Sequence, residues 1–308
     1  MVIIDDRGSH DPYIHVAIED YMVRNMPAAI TDYVMLYINS PCVVVGKNQS
    51  IYKEVNFEYL RNAENLVARR ISGGGTVYHD GGNLCFAFLS KFEESKVNNY
   101  RYFNQPIVDA LQKASIDATF SPRNDILWQD KKISGNAQFT DRKNILSHGT
   151  LLVNTNKEKL RGALAPNPFE VTSKAVSSVR SAVMNISEGS SRFQTAEDLK
   201  TYLMGELPIT YTYSFSDEQW QEITDSAITK FKSMDWLYGR NPTTHIIKPE
   251  LNITVENGCI TNIIVNDERY EIANKLIGIS YSQSAIRTAL SEIITDEQKK
   301  GKVLGIVF

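Results

Sequence analysis

The chain alternates between stretches whose apolar residues recur at helical spacing and short runs that are almost wholly apolar. After Asp11-Pro12, a helix start with Pro at the first helical position, Ile14, Ala17, Ile18, Tyr21 and Met22 fall on one face. Residues 33–39 and 41–46 are β-branched and aromatic-rich and read as strands broken at Ser40-Pro41. Residues 56–65 read as a short helix feeding a strand at Leu66-Val67-Ala68. Phe103, Ile107, Ala110, Leu111 and Ala114 mark another helix, with Pro106 expected in its first turn, since farther in it would break the hydrogen-bond ladder. Strands return at 125–129, 131–138 and 149–154. Thr195 with Asp198 and Ser216 with Gln219 are capping signals for two later helices, the second striped by Trp220, Ile223, Ala227, Ile228 and Phe231. Strands and helices mix without regular alternation, so the expected fold class is α+β with a mixed sheet.

The texture changes at 238–242 (YGRNP). Strands are expected at 244–247, 251–255 and 260–265, the last two joined by a type I′ hairpin at Asn257-Gly258. A helix from about Ser282 carries Ile286, Ala289, Leu290, Ile293 and Ile294 on one side. The expected domains are therefore 1–243 and a small α+β domain over 246–308, marginal alone and docked on the first.

With 308 residues, 42% apolar and 22% charged, the composition is that of an ordinary globular protein. A net charge of −3 argues against a nucleic-acid partner. Cys42, Cys85 and Cys259 are far apart among apolar neighbours and read as buried free thiols, and no Cys/His cluster suggests zinc. The start of the chain does not read as a signal peptide and no apolar run is long enough to span a membrane, so a cytoplasmic protein is expected.

Chemistry concentrates in two stretches. Residues 69–83, RRISGGGTVYHDGGN, run from a strand through two arginines and three consecutive glycines towards a second apolar run. In isolation Gly73-Gly74-Gly75 is a glycine-rich hairpin; beside Arg69 and Arg70, a loop rich in free N–H groups also suits an anion. No Gly-Lys-Ser/Thr closes the run, so it is not a P-loop. Residues 123–138, RNDILWQDKKISGNAQ, place Lys131 and Lys132 at a turn, where paired lysines are usually solvated. Lys132 lies on the opposite face from Ile133, and Gly135 would let a ligand or backbone approach closely.

Both stretches resemble signatures of the lipoate–protein ligase family: the first its lipoate-binding loop, the second its KxSGxAQ segment, in which Lys132 aligns with the active-site lysine. Two weaker matches follow. Residues 147–152 (SHGTLL) resemble its HGTLL strand. Ser177, Ser178, Val179, Arg180 and Ser181, with Asn185, resemble the loop that orders over the adenylate, although Ala182 stands where the family commonly has a basic residue.

The resemblance implies a biotin/lipoate-ligase-like domain with a small accessory domain, and an ATP-dependent ligase. Its site would hold ATP at Arg70, Gly75, Thr76, Val77, Tyr78 and Lys132, and lipoate at Lys132, Arg70, Ser72, Gly73, Gly74, His79 and Gly135. Asp125 is the candidate Mg²⁺ ligand, since that metal takes one or two carboxylates plus phosphates. Ser178, Val179 and Arg180 would form the adenylate loop. The implied acceptors are lipoyl-domain proteins: E2 subunits of 2-oxoacid dehydrogenases and the glycine cleavage H protein.

A linear acid such as lipoate suggests an apolar tunnel with its charge at one end, near Tyr37, Val44 and Val45, and octanoate as a poorer substrate. Octanoyl- or lipoyltransferases of the same fold are the alternative. They use a cysteine near the segment that is here 121–127, where this chain has none. Biotin–protein ligases would show a basic glycine loop that is absent. A non-enzymatic lipoyl-domain binder would lack Lys132.

Overall fold

The computed structural model describes residues 1–61, 66–179, 181–265 and 270–308. In chain order its elements begin with β1 (Val2–Ile4), α1 (Pro12–Asn25), β2 (Tyr33–Tyr37), β3 (Cys42–Val45), α2 (Ile51–Glu54), α3 (Phe57–Arg61), β4 (Leu66–Arg69), β5 (Val77–His79) and β6 (Asn83–Lys91). Then follow α4 (Tyr100–Lys113), β7 (Thr119–Phe120), β8 (Ile126–Trp128), β9 (Lys131–Ser134), β10 (Asn136–Thr140), β11 (Asn144–Leu152), α5 (Lys157–Ala163) and β12 (Glu170–Ser173). The chain continues with α6 (Ala196–Glu206), β13 (Tyr211–Tyr213) and α7 (Asp217–Ser226), then two π-helical turns. It ends with β14 (Thr244–Ile247), β15 (Leu251–Glu256), β16 (Cys259–Val265), α8 (Tyr270–Lys275), α9 (Gln283–Ile293) and α10 (Glu297–Val307).

Six strands form the central sheet in the order β10-β11-β6-β2-β1-β13, antiparallel at one end and parallel at the other. Both faces are covered, which is why β2 and β6 read as continuous apolar runs. Met35, Tyr37, Cys85, Ala87 and Leu146 face α1, while Val34, Leu36, Phe86, Phe88 and Ile145 face α4 and α6. Mixed sheets with helices on both sides make the α+β class expected from the sequence.

Local signals are obeyed closely. Asp11 caps α1, accepting the Tyr13 N–H at 2.8 Å. Both capping boxes form, and Ser282 caps α9. Asn257 and Gly258 have φ of 49° and 77°, as the type I′ turn between β15 and β16 requires.

Other expectations change. Pro106 lies well inside α4, because Asn99 accepts the Tyr102 N–H and starts the helix at Tyr100. The carbonyl that loses its partner to Pro106 belongs to Tyr102, on the solvent side. The run 131–138 is two strands in different sheets, parted at Gly135. The helix expected over 56–65 is α3, preceded by the separate short α2, and its last four expected positions fall outside the described residues. Cys42 and Cys85 are buried, whereas Cys259, on edge strand β16, is only half-buried.

A third core gathers Ile246, Ile253, Tyr281, Leu290 and Phe308 with Tyr52 and Phe57. Strand β12 also joins this C-terminal region, in the sheet β12-β14-β15-β16.

Candidate active site

The glycine segment is not a hairpin. Strands β4 and β5 flank β3 on opposite sides, one parallel and one antiparallel, so the glycines must cross the end of β3. That crossing is tight. A Cβ on Gly46, just past β3, would lie 2.3 Å from the Gly74 carbonyl oxygen, and Gly74 itself has φ +87°. Arg70 holds the crossing together. Its Nη2 donates to the carbonyls of Gly73 (2.6 Å) and Gly75 (2.7 Å), Nη1 to Val44 (3.2 Å), and Nε to Ser72 Oγ (2.9 Å). Burial lowers its pKa to about 10, with Glu19 opposing the shift, so it stays charged at neutral pH.

A cavity of about 370 Å³ opens beside this loop. Its exposed mouth includes Arg123, Asp125, Lys132, Ser178 and Val179. Lys132 Nζ lies 2.9 Å from Asp125 Oδ1, with the two side chains 25% and 19% exposed. Gly135 makes room for that lysine, since a Cβ there would sit 3.1 Å from Nζ. The backbone of Lys132 pairs with 182–184, tying it to the segment just after Ser181.

Of the residues singled out by sequence, Arg70, Gly74, Gly75, Thr76, Val77, His79, Asp125, Lys132, Gly135, Ser178 and Val179 all line this one cavity. Ser72, Gly73 and Tyr78 do not; Tyr78 alternates with Val77 and His79 along β5 and packs into the core. Arg180 lies outside the described residues.

The buried end overturns the expectation of an apolar tunnel. Val16, Val44, Val77 and Ala137 are there, but so are His15, Glu19, Tyr37, Asn39, His79, Cys85 and His148. These polar groups answer one another. Glu19 accepts from Tyr37 Oη (3.0 Å) and from His148 Nδ1 (2.9 Å), and Ser72 Oγ lies 2.6 Å from His148 Nε2. Asn39 bridges His15 Nδ1 (2.6 Å) and His79 Nδ1 (2.9 Å). A wall of mutually satisfied groups can still accept an apolar chain, because none is left demanding a partner.

Sequence reading missed Glu19 and His15. Both belong to α1 at i,i+4 spacing, next to the apolar stripe, and that pairing on a buried helix was the available signal.

Glu19, His148 and Ser72 have the residue types of a hydrolytic triad, but Ser72 is fully buried and off the cavity wall, so it cannot meet a substrate. Cys85 does reach the wall, 3.6 Å from His79 Nδ1. Burial pushes its thiol well above the usual range and pulls His79 down to about 3, so a neutral, weakly basic imidazole stands beside a thiol that resists ionising, a poor pair for acyl transfer through sulfur.

Residues 11–207 match the family model for the lipoyl protein ligase A/B catalytic domain. The chain is 35% identical over 311 residues to lipoate–protein ligase 1 of Staphylococcus aureus, covering 95% of this chain and 94% of that one. The chain belongs to the lipoate–protein ligase family. Lipoate-protein ligase LplJ of Bacillus subtilis is 33% identical, with the same shares covered. Among solved structures, P. falciparum LipL1 in complex with lipoate superposes with a TM-score of 0.65 at 23% identity, covering 99% of this chain and 98% of that one. A lipoate-protein ligase A bound with ATP gives 0.62 at 20% identity, covering 73% and 93%. These likenesses fix the fold, and the identities with the curated ligases make this chain a ligase.

Proposed function

We propose that this ligase joins lipoate to ATP, forming lipoyl-AMP with release of pyrophosphate, and then passes the lipoyl group to a lysine of lipoyl-domain acceptor proteins. E2 subunits and the glycine cleavage H protein are the acceptors we favour, in the cytoplasm. The observation that carries the reading is the meeting of Lys132, Asp125 and the glycine-loop amides at one cavity mouth.

A carboxylate oxygen attacking the α-phosphorus brings two anions together, and the bond from that phosphorus to the β-phosphate oxygen breaks. Lys132 supplies the fixed positive charge between them, and Arg70 adds a second from within the loop. Asp125 is the single carboxylate at the mouth among the described residues, which fits a Mg²⁺ that arrives on the nucleotide and completes its shell with phosphate oxygens and water. It would also leave Lys132 free to turn to the anions. The acceptor's ε-amine then attacks the anhydride carbonyl and AMP departs, with no protein nucleophile. Residues 1–243 form the catalytic domain in this reading and 246–308 the accessory one. Glu19, Tyr37 and His148 close the tail end, so octanoate should be accepted less well than lipoate.

Lipoate-dependent exchange of labelled pyrophosphate into ATP tests the first step. Lys132→Ala should lower it roughly 10²–10³-fold with little change in melting temperature. Lys132→Arg should not restore it fully, because a planar fork cannot stand in for a compact point charge. Lys131, exposed at the same turn, is the control, and its Ala variant should stay within about threefold of wild type. Equal, mild effects at the two lysines would overturn the assignment of Lys132. A thioester-linked acyl-enzyme would favour the octanoyltransferase alternative.

A further inference from the structure

The segment after β12 is pinned to the glycine loop by two side chains that the chemistry above leaves unused. Ser178 Oγ accepts the Thr76 N–H at 2.8 Å and Gln49 Nε2 at 3.1 Å, and donates to the Glu54 carboxylate. The same carboxylate takes the Ser178 N–H, at 3.2 and 3.3 Å. Gln49 is buried; its Oε1 receives the Gly46 N–H (2.9 Å) and the Thr76 hydroxyl (2.8 Å), and its Nε2 also reaches the Val176 carbonyl (3.3 Å). The fit is close enough that a Cβ on Gly75 would lie 3.2 Å from Ser178 Oγ.

This arrangement matters because Thr76 lies on the cavity wall and its N–H is an amide suited to a phosphate oxygen. A serine hydroxyl holds that amide here, and a carboxylate stands behind the hydroxyl. An approaching polyphosphate therefore meets a competitor for the donor and a like charge beyond it. Both halves of the contact hang from one stretch of chain. The Ile51 N–H donates to Asn241 Oδ1 and Ser50 Oγ lies 2.9 Å from Thr244 Oγ1, while Ser173 Oγ donates to the Thr243 carbonyl.

We propose that Glu54 is a positioning residue for the nucleotide step: through Ser178 it holds residues 174–179 on the glycine loop, and the triphosphate binds by exchanging the Ser178 hydroxyl at the Thr76 N–H for a phosphate oxygen. The nature of the anion rests on the function proposed above; the contact itself does not. Releasing the latch costs free energy before ATP is held, so the latch lowers apparent ATP affinity by the fraction of chains already released.

The test uses the full chain with Glu54→Gln, which keeps size and removes the charge, and Ser178→Ala, which removes the hydroxyl and its bonds to Glu54, Gln49 and the Thr76 N–H but leaves the Ser178 N–H in place. Without ligand, hydrogen–deuterium exchange over 174–179 should rise about tenfold in both. The ATP dissociation constant by calorimetry should fall roughly 3–10-fold in Glu54→Gln, with kcat for pyrophosphate exchange within about threefold and the lipoate KM unchanged. The double variant should loosen the segment by less than the two single effects combined, because both remove the hydroxyl–carboxylate bond. Unchanged exchange in both single variants would overturn the latch. A loosened segment with ATP bound no more tightly would overturn its link to the nucleotide. If wild type binds ATP but shows no lipoate-dependent turnover, the ligase mechanism fails while exchange and calorimetry still decide the latch.

Discussion

Burial decides what His79 can do in the cavity. Its ordinary value is 6.5; desolvation, with Arg70, His148 and His15 close by, lowers it to about 3. The unfolded chain therefore takes up a proton between about pH 6.5 and 3 that the native chain refuses. Stability tied to His79 is complete above pH 6.5 and drains as the pH falls towards 3, at up to about 1.4 kcal/mol per pH unit. His79→Asn keeps an acceptor for the Asn39 amide and removes the titration. Urea midpoints at pH 7 and pH 5 should thus lie closer together in this variant than in wild type, and an equal spacing would mean that native His79 is already protonated at pH 5. At this scale the sequence marked much of the cavity lining, because Lys132 and the glycine-loop residues sit in contiguous motifs. It could not mark the contact of Glu19 with His148, 129 positions apart, nor that of Glu54 with Ser178, 124 apart.

Elements were legible where a local rule sets them. Asp11, Thr195, Ser216 and Ser282 announce helix starts through bonds made within a few residues, and Asn257-Gly258 announces its turn through backbone conformation. Sheet membership was not legible, because β9 and β10 are contiguous in sequence yet pair with β8 and β11 in separate sheets. Gly135 at their junction and Gly149 on β11 should respond differently to alanine. At Gly135 a Cβ meets only the end of Lys132, at 3.1 Å, so Gly135→Ala should reduce adenylation with the melting temperature nearly unchanged. At Gly149 it would meet Asn136 Oδ1 at 2.2 Å and the Phe86 ring at 2.5 Å, and the Gly135 carbonyl lies 3.0 Å away. Asn136 Nδ2 holds the Asn124 carbonyl, so the clash also disturbs the turn that carries Asp125. Gly149→Ala should therefore cost about 1–3 kcal/mol of stability as well as activity. Thermal melts beside exchange assays separate the two, and a Gly135→Ala variant destabilised as much as Gly149→Ala would show that Lys132 is not the group displaced.

Across the whole molecule, residues 1–243 and 246–308 share a core. Tyr52 Oη donates to the Tyr281 carbonyl at 2.7 Å, Phe57 packs edge-on to Phe169 and tilted against Phe308, and β12 pairs with β14. Cutting the chain after Pro242 would strip cover from Tyr52 and Phe57 and leave β12 without its partner, so 246–308 is a poor candidate for clean removal. Arg69 fixes the run of chain that leads into β14. It is almost fully buried, and it donates to the carbonyls of Gly46, Lys47 and Gln49 on one side and of Trp236 and Leu237 on the other, with Asn241 Oδ1 as a further acceptor. The π-helical turn over 235–239 carries two of those carbonyls, and the Trp236 indole N–H returns a bond to the Arg69 carbonyl at 2.8 Å. Among the described residues no carboxylate pairs with this guanidinium, so its charge is held by carbonyl dipoles alone, and burial lowers its pKa to about 10. Arg69→Met would fit the space and strand those acceptors, at about 1–3 kcal/mol for each buried group left unpaired. The full chain should melt in a single calorimetric transition whose van't Hoff and calorimetric enthalpies agree. Arg69→Met should lower that transition by at least about 5 °C. Two resolved transitions in the wild-type chain would mean that the two regions are stable independently, and a variant that melts unchanged would mean that Arg69 does not anchor the run leading into β14.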